Sequence, residues 1–315
     1  MVVGLNPLRI RSILNLRHPR ERVAGIVLGI FCTLVWLIIL IPAVISSGFV
    51  LVLLFGGLFF FVSEHLQRVQ LYSNMLLLSP EQHPELAAVV AAQSQELGLG
   101  EPPAVFLANS HGLMNAFALM TLSRRAVILN SALVDFYLRR GRDDELNAVV
   151  AHELAHHALG HTKNWWNIFI GVSEPVFIFI MLYLGIASAG TGQDFAWLAC
   201  VLIGVLCVPL LLARQAYRRI CELSCDRLAA HTSQDKPEDA SSSRALLGLV
   251  AGSNALANAN QLPAFLAQQR LINPFFGWLV EVFSEYPLMT SRLSKLQAFI
   301  QQQNKSASNS LKPAE

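Results

Sequence analysis

Residues 149–161 read VVAHELAHHALGH, four histidines and one glutamate in a stretch otherwise made of small and aliphatic residues. On a helix, residues four apart lie one above the other, so His152 and His156 present their imidazoles to one point. Glu153 is turned by one residue, about 100°, which sets its carboxylate beside that point and not on it. Two neutral nitrogen ligands with a non-ligand carboxylate that takes a proton from metal-activated water are what a zinc hydrolase needs. The five-residue pattern alone also arises without a metal, so a third ligand decides the matter. In long-spacer zincins a third histidine lies six positions after the second; here position 162 is Thr, and His161 is one short. His161 therefore reads as a residue for the last helix carbonyls. His157 points about 100° away from His156 and reads as structural too.

The other source of a third ligand is RRICELSCDRLAAH, residues 218–231, whose spacing is helical. Glu222 and Asp226 share a face, i and i+4, so Glu222 is placed to bind a metal while Asp226 accepts the free ring N–H of a histidine ligand. In isolation such a pair is a solvated helix face. Beside HELAH it becomes the missing part of a metal site. Cys221 and Cys225 have the same spacing and could in principle ligate, but small buried hydrophobes is the better account of them.

These residues need elements to hold them. SPEQHPELAAVVAAQSQELGLG (79–100) has helical spacing and stops at Gly98 and Gly100. AVFLA (104–108) and AVILN (126–130) are short apolar runs between turn formers and read as strands. DDELNAVVAHELAHHALG (143–160) reads as a helix, with Asp143, Asp144 and Glu145 in its first turn, where the macrodipole favours acids, and Gly160 as its stop. The class is mainly α with a small β-sheet (α+β). The strand Ala126, Val127, Ile128, Leu129 and Asn130 is the candidate substrate edge, able to add an extended peptide as an extra strand. TSQDKPEDASSS (232–243) reads as a mobile surface loop and residues 305–315 as a disordered tail.

Of the 315 residues, 54% are hydrophobic and 14% charged, against roughly 25% charged in an ordinary soluble domain. That argues for a membrane partner, and a net charge of +2 with no basic stripe excludes nucleic acid. Residues 23–62 contain no charge, about twice the ~20 residues of one crossing, so they read as a hairpin turning near Pro42 and Ser46-Ser47-Gly48. A second hairpin is placed at 164–213, with spans near 165–186 and 195–213 and Glu174 inside the first of these. A carboxylate there faces protein or the interface, not lipid. Arg9, Arg11, Arg17, Arg20 and Arg22 stand before the first span against one acid, Glu21. This bias keeps the N-terminal segment 1–22 cytoplasmic, and with it the blocks 63–163 and 214–304 that carry the metal residues. The five cysteines, at 32, 200, 207, 221 and 225, form no disulfide framework and suit a reducing compartment.

In this order along residues 110–300, MNAFAL with AVILNSALVD, HELAHHALGHT, ELSCD and YPLMTSRLSKL together resemble the integral-membrane zinc metallopeptidases that include the HtpX heat-shock protease and the C-a-a-X prenyl protease, of the HExxH gluzincin type. The resemblance implies a zincin-like protease with one Zn2+ per chain. It implies ligation by His152, His156 and Glu222, Glu153 as general base and Asp226 supporting a ligand. Asn115 aligns with an asparagine near the metal in relatives, with turn capping as its other role. Tyr286 stands where relatives often have histidine before proline, and oxyanion stabilisation is left open among Tyr286, Arg292 and Asn115. The function expected is a multi-pass zinc endopeptidase of the bacterial inner membrane. It would act on polypeptide substrates, membrane proteins in particular, at the cytoplasmic face of the lipid bilayer, in quality control under stress. A prenyl-protein protease and a scaffold with structural zinc are the alternatives.

Overall fold

The computed structural model describes residues 13–45, 49–109, 112–121, 124–163, 196–237, 240–251 and 261–310. The expected reversal at 46–48, the span at 165–186 with Glu174, the polar turn at 188–194, and Arg9 and Arg11 lie outside them.

Two long helices, α1 (Glu21–Ile45) and α2 (Phe49–Asn74), precede the sheet. Pro42 falls inside α1. Leu28, Cys32 and Val35 form one fully buried stripe of α1, spaced four and three apart, while Val23, Ile26, Ile30, Leu34 and Leu37 on its other faces are exposed. That stripe packs along α6 (Ala196–Thr232), and a Cβ at Gly25 would lie 3.4 Å from the Tyr217 ring. Among the described residues one stretch, Glu21–Ile38, is long and apolar enough to cross a bilayer.

Four strands follow: β1 (Leu76–Leu77), β2 (Ala104–Ala108), β3 (Ala116–Thr121) and β4 (Arg124–Asn130), with helix α3 (Pro84–Glu96) between β1 and β2. The spatial order is β1-β2-β4-β3. β2 and β4 are parallel, Ala104 opposite Ala126, and β3 and β4 are antiparallel, Ala116 opposite Leu129. Alternate residues serve two cores. Val105, Val127 and Leu129 join Val150 and Leu154, and Phe106, Ala126 and Ile128 join Leu71 at the end of α2. A strand buried on both faces reads as a continuous apolar run, as β2 and β4 do.

The sheet corrects one expectation. β4 is paired on both sides, to β2 and to β3, over the whole of Ala126, Val127, Ile128, Leu129 and Asn130 or nearly so, and all five are buried. Its backbone donors and acceptors are already committed, so it cannot take a substrate strand; the outer strand on that side is β3.

Helix α4 (Ser131–Leu138) leads to α5 (Asp143–Leu159), which is buried on nearly every face, by Leu146, Val149, Val150, Leu154, Ala155 and Leu159 among others. It ends at Gly160 in the left-handed conformation, φ 80°, the usual helix stop. The next residue folds back, its amide bonding to the carbonyl of His156 at 2.9 Å.

The apolar segment expected at 195–213 and the metal helix expected at 218–231 are one continuous helix, α6, despite Pro209. The stretch after it is not a solvated loop at its flanks. Asp235 is buried and caps helix α7 (Ser241–Ala251), accepting from the amides of Ser241 at 3.1 Å and Ser242 at 3.0 Å. Helices α8 (Gln261–Ala267), α9 (Pro274–Phe283) and α10 (Met289–Ser310) complete the chain. α10 runs to Ser310, so the expected tail is helical up to there. Leu293, Leu296 and Ile300 of α10 close a second core with Ala230 and Leu246.

Candidate metal centre

α5 and α6 cross beside the sheet and bring the expected ligands together. Nε2 of His152 lies 3.3 Å from one oxygen of Glu222, and Nε2 of His156 lies 3.4 Å from the other. A zinc ion with bonds of about 2.0–2.1 Å has tetrahedral edges of roughly 3.3–3.4 Å. The three side chains each offer an atom within 4.8 Å of the others. The donor set therefore fits a metal ion of that size.

The far side of His152 is held. Its Nδ1 lies 3.0 Å from Asp226 Oδ1, the contact that fixes a ligand's tautomer and leaves Nε2 for the metal. Asp226 is held in turn by Arg292, whose Nε and one terminal nitrogen donate to its two oxygens at 2.6 and 2.7 Å. The same terminal nitrogen reaches Glu222 at 3.1 Å.

The charges favour a cation. Burial opposes the charged form of His152, but Asp226 and Glu222 outweigh it and raise its pKa to about 10. Burial likewise opposes the Glu222 carboxylate, yet Arg292 and the two imidazoles hold it well below its usual range. Glu153 behaves differently. Burial raises its pKa in spite of the imidazoles nearby, and it makes none of the close contacts that tie Glu222 to the histidines. It lines the same cavity of about 370 Å³, together with Asn115, Phe117 and Tyr286.

Residues 80–300, most of the chain, match the model of peptidase family M48. The chain belongs to that family. Over 233 residues, 71% of this chain and 76% of the relative, it is 25% identical to a protease HtpX homolog of Pyrococcus furiosus. No solved structure matches it significantly.

In this M48 peptidase the three candidates for oxyanion stabilisation have separate fates. Arg292 is buried and bonded to Asp226 and Glu222, so it organises the site, and it also lines the cavity. Tyr286 stands at the mouth, 51% exposed, with burial and then Glu222 raising its pKa, which keeps the phenol protonated. Asn115 is exposed at the start of β3, and its side-chain oxygen accepts from the Ala116 amide at 2.9 Å.

His157 is structural. Its ring links Thr162 at 2.8 Å to the carbonyl of Ala126 at 3.1 Å and so pins α5 to the sheet. Two residues adjoin the histidine cluster that the sequence reading did not place there: His161, which it gave to the helix end, with Nδ1 3.2 Å from Nδ1 of His156, and Glu21, with Oε1 3.2 Å from Nε2 of His161. The residue pattern held a sign of the first, a histidine just past a glycine stop. For Glu21, one acid among arginines, there was none.

Proposed function

We propose that this protein is a zinc-dependent endopeptidase bound to the membrane through its N-terminal helices, acting on polypeptides at the cytoplasmic face. The observation that carries the reading is the convergence of His152 Nε2 and His156 Nε2 on the two oxygens of Glu222, with Glu153 in the same cavity but outside that set. Zinc held there would act as a Lewis acid on the scissile carbonyl and lower the pKa of water. On this reading three protein ligands, His152, His156 and Glu222, would hold the ion beside an open cavity, as in catalytic zinc sites; structural sites are closed by four.

Glu153 is the general base. Its raised pKa brings it nearer to neutral pH, where a base both accepts a proton and gives it up to the leaving amine. Tyr286 and Asn115 line the cavity and would donate to the developing oxyanion. The substrate would lie extended along β3, whose Ala116, Phe117 and Ala118 border the cavity, pairing with backbone groups and so asking little of the substrate's sequence.

Several features support the membrane reading. α1 keeps a narrow buried stripe with apolar side chains all round, which suits a helix whose other faces meet lipid. α2 exposes Leu54, Leu58, Phe59 and Phe61 in its first half, and α6 exposes Val201, Val205 and Val208 before its metal residues begin. α9, short and apolar, exposes Phe275, Phe276, Trp278 and Phe283 and hangs on α6 through Arg219, which donates to the carbonyls of Val282 and Ser284. Two hairpins flanking a cytoplasmic site would present misfolded membrane proteins and their loops to it, a quality-control role. The test is cleavage of casein and of a membrane-protein substrate by purified protein in detergent, with chelator and then with zinc restored. Loss and recovery are expected; cleavage indifferent to chelator would end the reading.

A further inference from the structure

A metal-binding imidazole has two nitrogens, and the one not on the metal must be held if the ring is to keep its tautomer and angle. His152 has Asp226 for this. His156 has no carboxylate at that place; its Nδ1 meets Nδ1 of His161 at 3.2 Å. The direction of that bond follows from the next one along. Nε2 of His161 lies 3.2 Å from Glu21 Oε1, and a carboxylate only accepts, so Nε2 carries the hydrogen. A neutral His161 then has a bare Nδ1, which accepts from His156. The hydrogen of His156 is thereby placed on Nδ1, and its Nε2 lone pair is left facing Glu222, 3.4 Å away.

The far end of this chain is fixed as well. Glu21 takes a hydrogen bond from the Ser224 hydroxyl at 2.5 Å and an ion pair from Arg17 at 3.3 Å. Ser224 stands on α6 between Glu222 and Asp226. The left-handed turn at Gly160 aims His161 back over His156. Side chains of His161 and Glu21 are 6% and 3% exposed, so water does not compete for these bonds.

We propose that His161 and Glu21 are positioning residues of the metal centre: they set the tautomer and angle of His156, and the first turn of α1 is thereby part of the support of a ligand 135 residues further along the chain. This rests on the zinc reading above. It means that the N-terminal helix is needed for metal affinity as well as for anchoring. A rival arrangement uses the same atoms. His156, His161 and Cys225 also offer three atoms within 4.8 Å of one another, Cys225 Sγ being 3.5 Å from His161 Nδ1. Direct ligation there would need a thiolate, and burial, with Glu222 nearby, pushes that thiol well above its ordinary range.

The experiment measures zinc affinity of the full chain in detergent by competition with a chromophoric chelator, beside thermal unfolding of the metal-free protein. His161→Ala and Glu21→Gln are expected to bind zinc ~10–100-fold and about 10-fold more weakly than wild type. His161→Gln, whose amide can accept from His156 and donate to Glu21, should recover most of the loss. Cys225→Ser should bind as wild type does. A lowered metal-free melting temperature with wild-type zinc affinity in His161→Ala and Glu21→Gln would overturn the proposal and leave a merely structural role. Weakening in Cys225→Ser as large as in His161→Ala would overturn it in favour of direct ligation. If His161→Ala does not fold, Glu21→Gln decides: wild-type affinity sinks the idea, and a tenfold loss upholds it. Wild type and Glu222→Ala calibrate the reading beneath: a wild type without zinc, or Glu222→Ala with full affinity, breaks the metal site itself, whereas a normal loss in Glu222→Ala with none in the other two breaks only the positioning role.

Discussion

Asp226 receives Arg292 in two hydrogen bonds, at 2.6 and 2.7 Å, while its Oδ1 also faces His152 Nδ1 at 3.0 Å. One buried guanidinium thus faces both of the acids that surround the first histidine. Removing it leaves Asp226 and Glu222, both largely shielded from solvent, under-compensated. Arg292→Met is therefore expected to lower the stability of the metal-free protein by about 3–5 kcal/mol, the usual cost of breaking a buried pair from one side. Zinc supplies part of the missing charge, so the rise in melting temperature on adding zinc should be larger in the variant than in wild type. An equal rise in both proteins would show that Arg292 does not share its electrostatic task with the metal.

The order of strands separates stability from substrate binding. Leu129 lies in the paired, buried strand β4 and is 0% exposed. Leu129→Ala should lower unfolding stability by ~2–5 kcal/mol and leave KM of the surviving folded protein unchanged. A peptide substrate with N-methylated amides beside its scissile bond should instead raise KM several-fold with wild-type protein, because it cannot pair with the outer strand β3. Equal KM for methylated and plain peptides would remove the β3 edge from the substrate site.

What was legible in the sequence was local. The caps of α5 and the spacing of His152, Glu153 and His156 depend on neighbours within one helix, and the helix runs from Asp143 to a stop at Gly160 as its residues dictate. Strand β2 likewise has the limits its apolar run suggests. Which strand lies outermost was not legible, because AVILN and AFALMT are both apolar and only long-range pairing separates them. Glu21 and His161 meet across 140 positions, and no pattern in either segment refers to the other. Asp235 and the serines of 241–243 looked like solvent-facing residues by composition, yet Asp235 accepts from the amides of Ser241 and Ser242 and from the Ser241 hydroxyl at a helix start. α9 had readable signals, Asn273 as N-cap accepting from Phe275 and Phe276 amides, and Pro274 at the first helical position.

His157 gives the fold a pH dependence whose sign can be worked out. Burial, with Arg125 and His156 adding to it against the Ala126 carbonyl, lowers its pKa to about 4 from an ordinary 6.5. Above pH 6.5 the ring is neutral folded and unfolded and contributes nothing. Between 6.5 and 4 the unfolded chain binds a proton that the folded one refuses, so stability falls as pH falls, by up to about 1.4 kcal/mol per unit. His18, also lowered to about 4 by burial and Arg227, acts in the same direction. His152, held at about 10, acts in the opposite direction between pH 7 and 6, where the unfolded ring takes up the proton the folded one already holds, and is nearly flat below that. In metal-free protein the loss of melting temperature from pH 7 to pH 5 should accordingly be smaller in His157→Gln than in wild type, with a residue left from His18. An unchanged slope would mean that His157 titrates normally in the fold.

Glu153 shares the cavity with the ligands but not their contacts, and that difference can be isolated. Glu153→Gln keeps the size and polarity of the side chain and removes its ability to take a proton. Since His152, His156 and Glu222 are untouched, zinc content should stay at one per chain. The buried carboxylate, whose pKa is already raised by desolvation, is not held by an ion pair, so its replacement by an amide should leave the melting temperature near wild type. Peptide cleavage should drop by ~10²-fold or more, as removal of a general base does. The comparison needs one metal analysis and one cleavage time course on each protein. Equal cleavage rates at equal zinc content would remove Glu153 from the mechanism, and loss of zinc together with activity would make it a ligand.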